Sequence, residues 1–263
     1  MRNIILSILT LCLFSSCSHK VYDALDWQSN VIFADSKIPK WTDPLRFYDT
    51  KSKINYTLTN DRHNLYVWMK ISDETEQLKI LRGGMELRID TSGKKTFPVA
   101  LMFPLANQPM MMHRSTEPQS EKRNPKPDRS SMMQNLLIQA KEMELTGFKP
   151  PLGGIVSLLN NSNGISAAIE TDSLGILCYQ AIIPFKTFYK DELAAVDSNK
   201  AFKYEIKVNA LPEPQSHTGG GGGGMGGGGS HGGGHNNGGG YSAGNSELYV
   251  TNKLTKLLRF SYK

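Results

Sequence analysis

Residues 54–90 read INYTLTNDRHNLYVWMKISDETEQLKILRGGMELRID, and this stretch decides the fold. Ile54, Tyr56 and Leu58 alternate with Asn55, Thr57 and Thr59, the period-two pattern of a half-buried strand. The residues from Asn60 to Asn64 carry turn chemistry, because short polar side chains tolerate left-handed backbone. Leu65, Val67, Met69 and Ile71 then alternate with Tyr66, Trp68 and Lys70, which predicts the return strand. Asp73, with Glu76 three residues on, predicts a helix start, and Gly83-Gly84 predicts its end just after Arg82. Met85, Leu87 and Ile89 alternate with Glu86, Arg88 and Asp90 in a third strand.

The same alternation extends outward from this core. Downstream, Phe97, Val99, Leu101 and Phe103 predict a strand, and residues 131–140 a short helix. Further strand candidates are 143–148, 154–159, 164–171, 174–183 and 201–210. Upstream, Trp27 and 31–33 predict an edge strand, and Trp41 to Pro44 a turn. Residues 107–130 lose all periodicity and carry four prolines, which predicts an exposed flexible loop. Residues 219–244 hold 17 glycines in 26 positions and cannot bury apolar surface, so disorder is expected there. Leu254, Leu258, Phe260 and Tyr262 then share one face of a closing strand, which makes the glycine segment an insertion and not a tail. The expectation is a mainly β chain: an antiparallel two-sheet β-sandwich, immunoglobulin-like or jelly-roll-like, with one or two short helices and two disordered insertions. One domain, 25–263, accounts for all the strand signals.

The pieces Asp61, Leu65-Tyr66-Val67, Ser72-Asp73 and Glu86-Leu87-Arg88-Ile89-Asp90 resemble the family-9 carbohydrate-binding-module-like sandwiches, grouped with DOMON-like domains. Cys178 to Phe185 resembles that family's penultimate strand, with Gln180 at or near the place of its acid. The resemblance implies a sandwich that holds a glycan or another small ligand, in a lipoprotein of the Bacteroidota type.

Met1-Arg2-Asn3 followed by the apolar run from Ile4 to Phe14 has the form of a signal-peptide core, too short for a stable membrane span. Leu13-Phe14-Ser15-Ser16-Cys17 resembles a bacterial lipobox. Residues 1–16 are therefore expected to be a lipoprotein signal peptide, Cys17 the lipidated residue and 17–24 the tether, because acyl chains on one cysteine anchor a protein stably. The other reading is an ordinary signal peptide with Cys17 incidental. The expected address is the outer membrane, facing the periplasm. Of three cysteines, processing would leave only Cys178 free, and hence no disulfide. The formal charge of +6 is spread along the chain. A nucleic-acid partner is not expected, since that calls for a basic face with interleaved aromatics.

Tyr66 and Trp68 fall on the strand face opposite Leu65, Val67 and Met69. On an open outer face they could stack on a sugar; covered by a segment such as 41–48 they are a minor core. Arg88, with Arg46 and Arg82, is a candidate for the polar contacts of such a site. His217, His231 and His235, with Met225 and Met110 to Met112, are candidate soft-metal ligands without preset geometry. Asp73, Glu74 and Glu76 could hold calcium, but helix capping explains the same residues without an ion and is the preferred reading. Met69 and His63 are the haem candidates. The chain has no G-x-S-x-G, H-E-x-x-H, C-x-x-C or phosphate-loop motif, and no catalytic set is expected. A non-catalytic envelope lipoprotein that binds a glycan or other small ligand is the leading expectation. A structural or assembly lipoprotein contacting an envelope protein, or a metal- or haem-linked accessory domain, are the others.

Overall fold

The computed structural model describes residues 23–29, 32, 45–92, 96–106, 128–159, 162–213 and 243–263. In chain order the strands are β1 (Asp23–Ala24), β2 (Asp26–Trp27), β3 (Phe47–Asp49), β4 (Ile54–Asn60) and β5 (Asn64–Ile71). Helix α1 (Glu74–Gly83) precedes β6 (Met85–Asp90) and β7 (Val99–Met102), and α2 (Arg129–Gln139) precedes β8 (Glu142–Thr146) and β9 (Gly154–Ser157). The chain ends with β10 (Ser166–Thr171), β11 (Leu177–Pro184), β12 (Ala201–Val208) and β13 (Asn252–Arg259).

These strands form two sheets. One runs β1-β13-β12-β6-β7-β8-β9; the other runs β10-β11-β5-β4-β2, with β3 also paired to β4. Every pair is antiparallel except the short β1–β13 and β2–β4 contacts. The expected mainly β, two-sheet sandwich is what the chain forms.

The alternation read in the sequence sets the register. Ile54, Leu58, Leu65, Val67, Met69 and Ile71 join Leu87, Ile89, Tyr204 and Ile206 in one buried cluster between the sheets. A slip of one residue would turn each of these faces to the outside, at a cost of about 1.5–3 kcal/mol per large apolar side chain exposed.

Helix α1 carries the chain from β5 in one sheet to β6 in the other. Asp73 starts it by accepting from the N–H groups of Thr75 at 3.1 Å and Glu76 at 3.0 Å. Gly84 ends it at φ +80°, where a Cβ would lie 2.9 Å from the Pro104 carbonyl oxygen, so a side chain is excluded twice over. Helix α2 begins at Arg129 because the Asp128 carboxylate accepts from Ser131 N–H at 2.7 Å. Residues 128–130 therefore cap and open a helix and do not belong to the expected loop. The rest of that loop, 107–127, lies outside the described residues.

Strand β13 closes the sheet. It pairs with β12 over eight residues, from Ala201↔Arg259 to Val208↔Asn252. Beyond it, Phe260 stacks on Phe202 with ring centroids 4.2 Å apart and meets Phe185 edge-on at 5.0 Å. A 3-10 turn, Ala243–Tyr249, leads into β13, so the last two residues of the predicted glycine insertion are structured. Residues 214–242 lie outside the described residues. Among the described residues no helix is long and apolar enough to cross a membrane.

Candidate functional site

Strand parity placed Tyr66 and Trp68 correctly on the outer face of β5, but that face is not open. Tyr66 is 0% exposed and Trp68 2%. They form a second apolar cluster with Ile182 of β11, against which Ile32 and Leu45 pack. Tyr66 also spends its hydroxyl within the fold, donating to Asp61 Oδ2 at 2.7 Å. Burial, and then this bond to a carboxylate, push the phenol well above its usual pKa. Asp61 in turn accepts from the N–H groups of His63 at 2.7 Å and Asn64 at 2.6 Å, which shapes the β4–β5 turn. Of the two readings of these rings, the covered one holds and the open platform is corrected: Leu45, from the 41–48 segment, packs on them, and both rings support the hairpin.

Arg88 does not join them. It lies on β6, in the other sheet, where it binds Glu205 at 2.7 Å and rests on the Phe97 ring at 5.1 Å. Opposite Trp68 on β11 stands Gln180. It is 0% exposed, and neither of its amide atoms meets a hydrogen-bond partner among the described residues. An unmet buried amide of this kind costs about 1–3 kcal/mol.

The acids at the start of α1 do not converge on an ion. Each one turns to a different cation. Asp73 caps the helix with one oxygen and takes Lys53 Nζ on the other at 2.9 Å. Burial opposes that charge, but the Lys53 ammonium and the capped N–H groups hold its carboxyl below the usual range. Glu74 pairs with Arg129 of α2. Glu76 points inward, where its Oε1 accepts from Lys79 at 2.9 Å and Asn252 at 2.7 Å. Met69 is sealed in the core while His63 is exposed in its turn, so the two face different surroundings. Cys17, His217, His231 and His235 lie outside the described residues. Among the described residues no group of three or more His, Cys, Asp or Glu side chains is placed to hold a metal ion.

An open concave feature lies elsewhere among the described residues. A cleft of about 530 Å³ runs between the first turn of α1, the N-terminal half of α2 and the β10–β11 turn. Its polar walls include Ser72, Glu74, Gln77, Arg129 and Gln134, and its apolar ones Met133, Leu174 and Ile176. The Gln77 side chain fixes two of these elements together, donating to the Ile71 and Gly175 carbonyls, both at 2.9 Å. Leu174 stands 81% exposed at the rim. Hydroxyls, amides and a paired guanidinium and carboxylate beside aliphatic carbon suit a ligand with hydroxyl edges and apolar faces. Sequence reasoning missed this site because its residues come from three separate segments and form no motif.

Fold and cleft define a two-sheet β-sandwich protein with a surface cleft between α1, α2 and the β10–β11 turn. Comparison with protein-family models, with curated proteins and with solved structures finds no match.

Proposed function

We propose that the chain is a non-catalytic lipoprotein of the cell envelope, anchored through Cys17, whose sandwich holds a glycan or similar polyhydroxylated ligand in the α1–α2 cleft. The cleft carries this reading: its volume lies within the range of about 300–1,000 Å³ of small-molecule sites, and its lining holds both hydrogen-bonding and aliphatic groups. The lipobox-like run ending at Cys17 supports the anchor, and the likeness to carbohydrate-binding sandwiches supports the ligand class. With Tyr66 and Trp68 covered, recognition rests on hydrogen bonds and aliphatic contact instead of ring stacking.

Calorimetric titration of the full chain in detergent, against neutral and acidic oligosaccharides, tests the ligand. At least one should bind, and Gln134→Ala or Leu174→Ala, both exposed positions, should weaken it about tenfold, the worth of one lost contact of about 1.4 kcal/mol. A panel without binding, or variants that bind like the parent, would sink the reading. Labelling with a palmitate analogue, present in the parent and lost in Cys17→Ala, tests the anchor.

One observation favours a second reading, an assembly lipoprotein that contacts an envelope protein. Ile155 on edge strand β9 is 64% exposed, and Leu159 just beyond it is 86% exposed. Apolar side chains beside a strand edge that no described residue pairs with suit a partner strand. A photo-crosslinker at residue 155 should then capture an envelope protein, and a Leu159→Lys substitution should abolish the capture.

A further inference from the structure

The charges in the cleft bear on which glycans it would accept, an inference that rests on the glycan reading above. We infer that the cleft selects glycans bearing a carboxylate, with Arg129 as the anion anchor and Glu74 as a built-in competitor for it. Arg129 is the first residue of α2, and its guanidinium reaches across the cleft to α1. There Nη1 bonds the Glu74 carboxylate and Nη2 donates to the Glu74 carbonyl at 3.2 Å. Both side chains are open to water, at 45% and 71% exposed. Pairs of this kind contribute only about 0–1 kcal/mol, so exchanging one carboxylate for another costs little. A sugar carboxylate on Arg129 would gain a charge-assisted, two-pronged contact while Glu74 returns to solvent.

Two independent features point the same way. Helix α2 brings the positive end of an eleven-residue helix to this wall. Beyond the Asp128 carboxylate that caps it, its first turn holds no acidic residue, whereas that of α1 holds Glu74 and Glu76 in addition to its cap Asp73. The chain also carries a formal charge of +6, which raises the encounter rate with polyanions. A neutral sugar offers Arg129 only uncharged oxygens in exchange for the Glu74 carboxylate, and so leaves the pair closed.

The test is calorimetric titration of the full chain in detergent with trigalacturonate, with its neutral methyl ester and with acetate. Trigalacturonate should bind about tenfold more tightly than the ester, as one charge-assisted contact implies. Glu74→Gln, an exposed change that keeps the side-chain shape, should raise the acid-to-ester affinity ratio about twofold to fivefold by removing the competitor. Acetate should not displace trigalacturonate at equal carboxylate concentration. Equal affinity for acid and ester, an unchanged ratio in Glu74→Gln, or displacement by acetate overturns charge selection and leaves the glycan reading standing. Failure of both the acid and the ester to bind, together with every other oligosaccharide, overturns both.

Discussion

Asn60 grips Ser261 by both of its backbone polar groups: Asn60 Nδ2 donates to the Ser261 carbonyl, and Ser261 N–H donates to Asn60 Oδ1, each at 2.9 Å. Asn60 ends β4 and Ser261 follows β13, so the pair fastens one sheet to the closing strand of the other. Asn60 is 0% exposed, and its amide therefore answers groups that water would otherwise have to reach. Asn60→Leu should cost about 2–4 kcal/mol, the penalty for two strained or unmet backbone groups. Equilibrium urea unfolding measures it, and a loss below about 1 kcal/mol would mean the clasp is incidental.

Lys79 and Glu76 form an ion pair at 2.9 Å with side chains 0% and 2% exposed. Burial raises the Glu76 carboxyl above its usual pKa, and the Lys79 hydrogen bond only partly offsets this. Lys79→Met would strand the buried carboxylate and should cost about 3–5 kcal/mol at neutral pH. That loss should shrink on acidification, because the folded state then binds a proton more readily than the unfolded chain. Adding Glu76→Gln, which keeps an acceptor for Asn252, should restore much of the stability. If Lys79→Met unfolds at the same urea concentration as the parent at pH 7, the pair is not held as described.

Asp197 is 0% exposed and would be costly to keep ionised without help. Burial alone would raise its carboxyl; the Lys190 ammonium, the Ala194 N–H at 2.8 Å and the Tyr189 hydroxyl at 2.8 Å bring it down to about 2. A depressed carboxyl adds stability above its unfolded value and loses it as the pH falls. The contribution, about 2 kcal/mol, should therefore be present above pH ~4 and vanish towards pH ~2. Asp197→Asn should be less stable than the parent at pH 6 and approach it near pH 2. Parallel stability curves for the two proteins across that window would contradict the assignment.

Trp68 should report a sealed environment. With Trp27 and Trp41 changed to Phe, the remaining emission should be blue-shifted and poorly quenched by acrylamide, whether or not a glycan is present. Trp68→Ala should cost about 3–5 kcal/mol by leaving a cavity under Leu45 and Ile32, and a chain that retains its parent stability would show the ring to be open.

Much of this was legible in the residue order, and the failures have identifiable causes. The capping role of Asp73 and the stop at Gly84 are local backbone chemistry, and both appear as read. The β4–β5 hairpin and the closing strand also appear, because strict alternation over seven or eight residues leaves no other regular structure to form. Strand β3 escaped notice: three residues, Phe47 to Asp49, are too few to establish a period, and only pairing with β4 makes them a strand. Lys79 is buried, rare for a lysine, because α1 crosses between the sheets with that side turned inward.

Tyr66 and Trp68 mark the boundary most clearly. Side chains alternate across a strand by covalent geometry, so residue order by itself determined that these rings point away from Leu65, Val67 and Met69. Whether that second face is wet depends on Ile182, more than a hundred positions later, and on Leu45, twenty earlier. Arg88 was separated from the rings in the same way, since the choice of sheet for β6 is made by its pairing with β12. The α1–α2 cleft is likewise a product of three segments meeting, and no window of sequence contains it. Facing is a local property of an extended chain; covering and convergence are properties of the packed one.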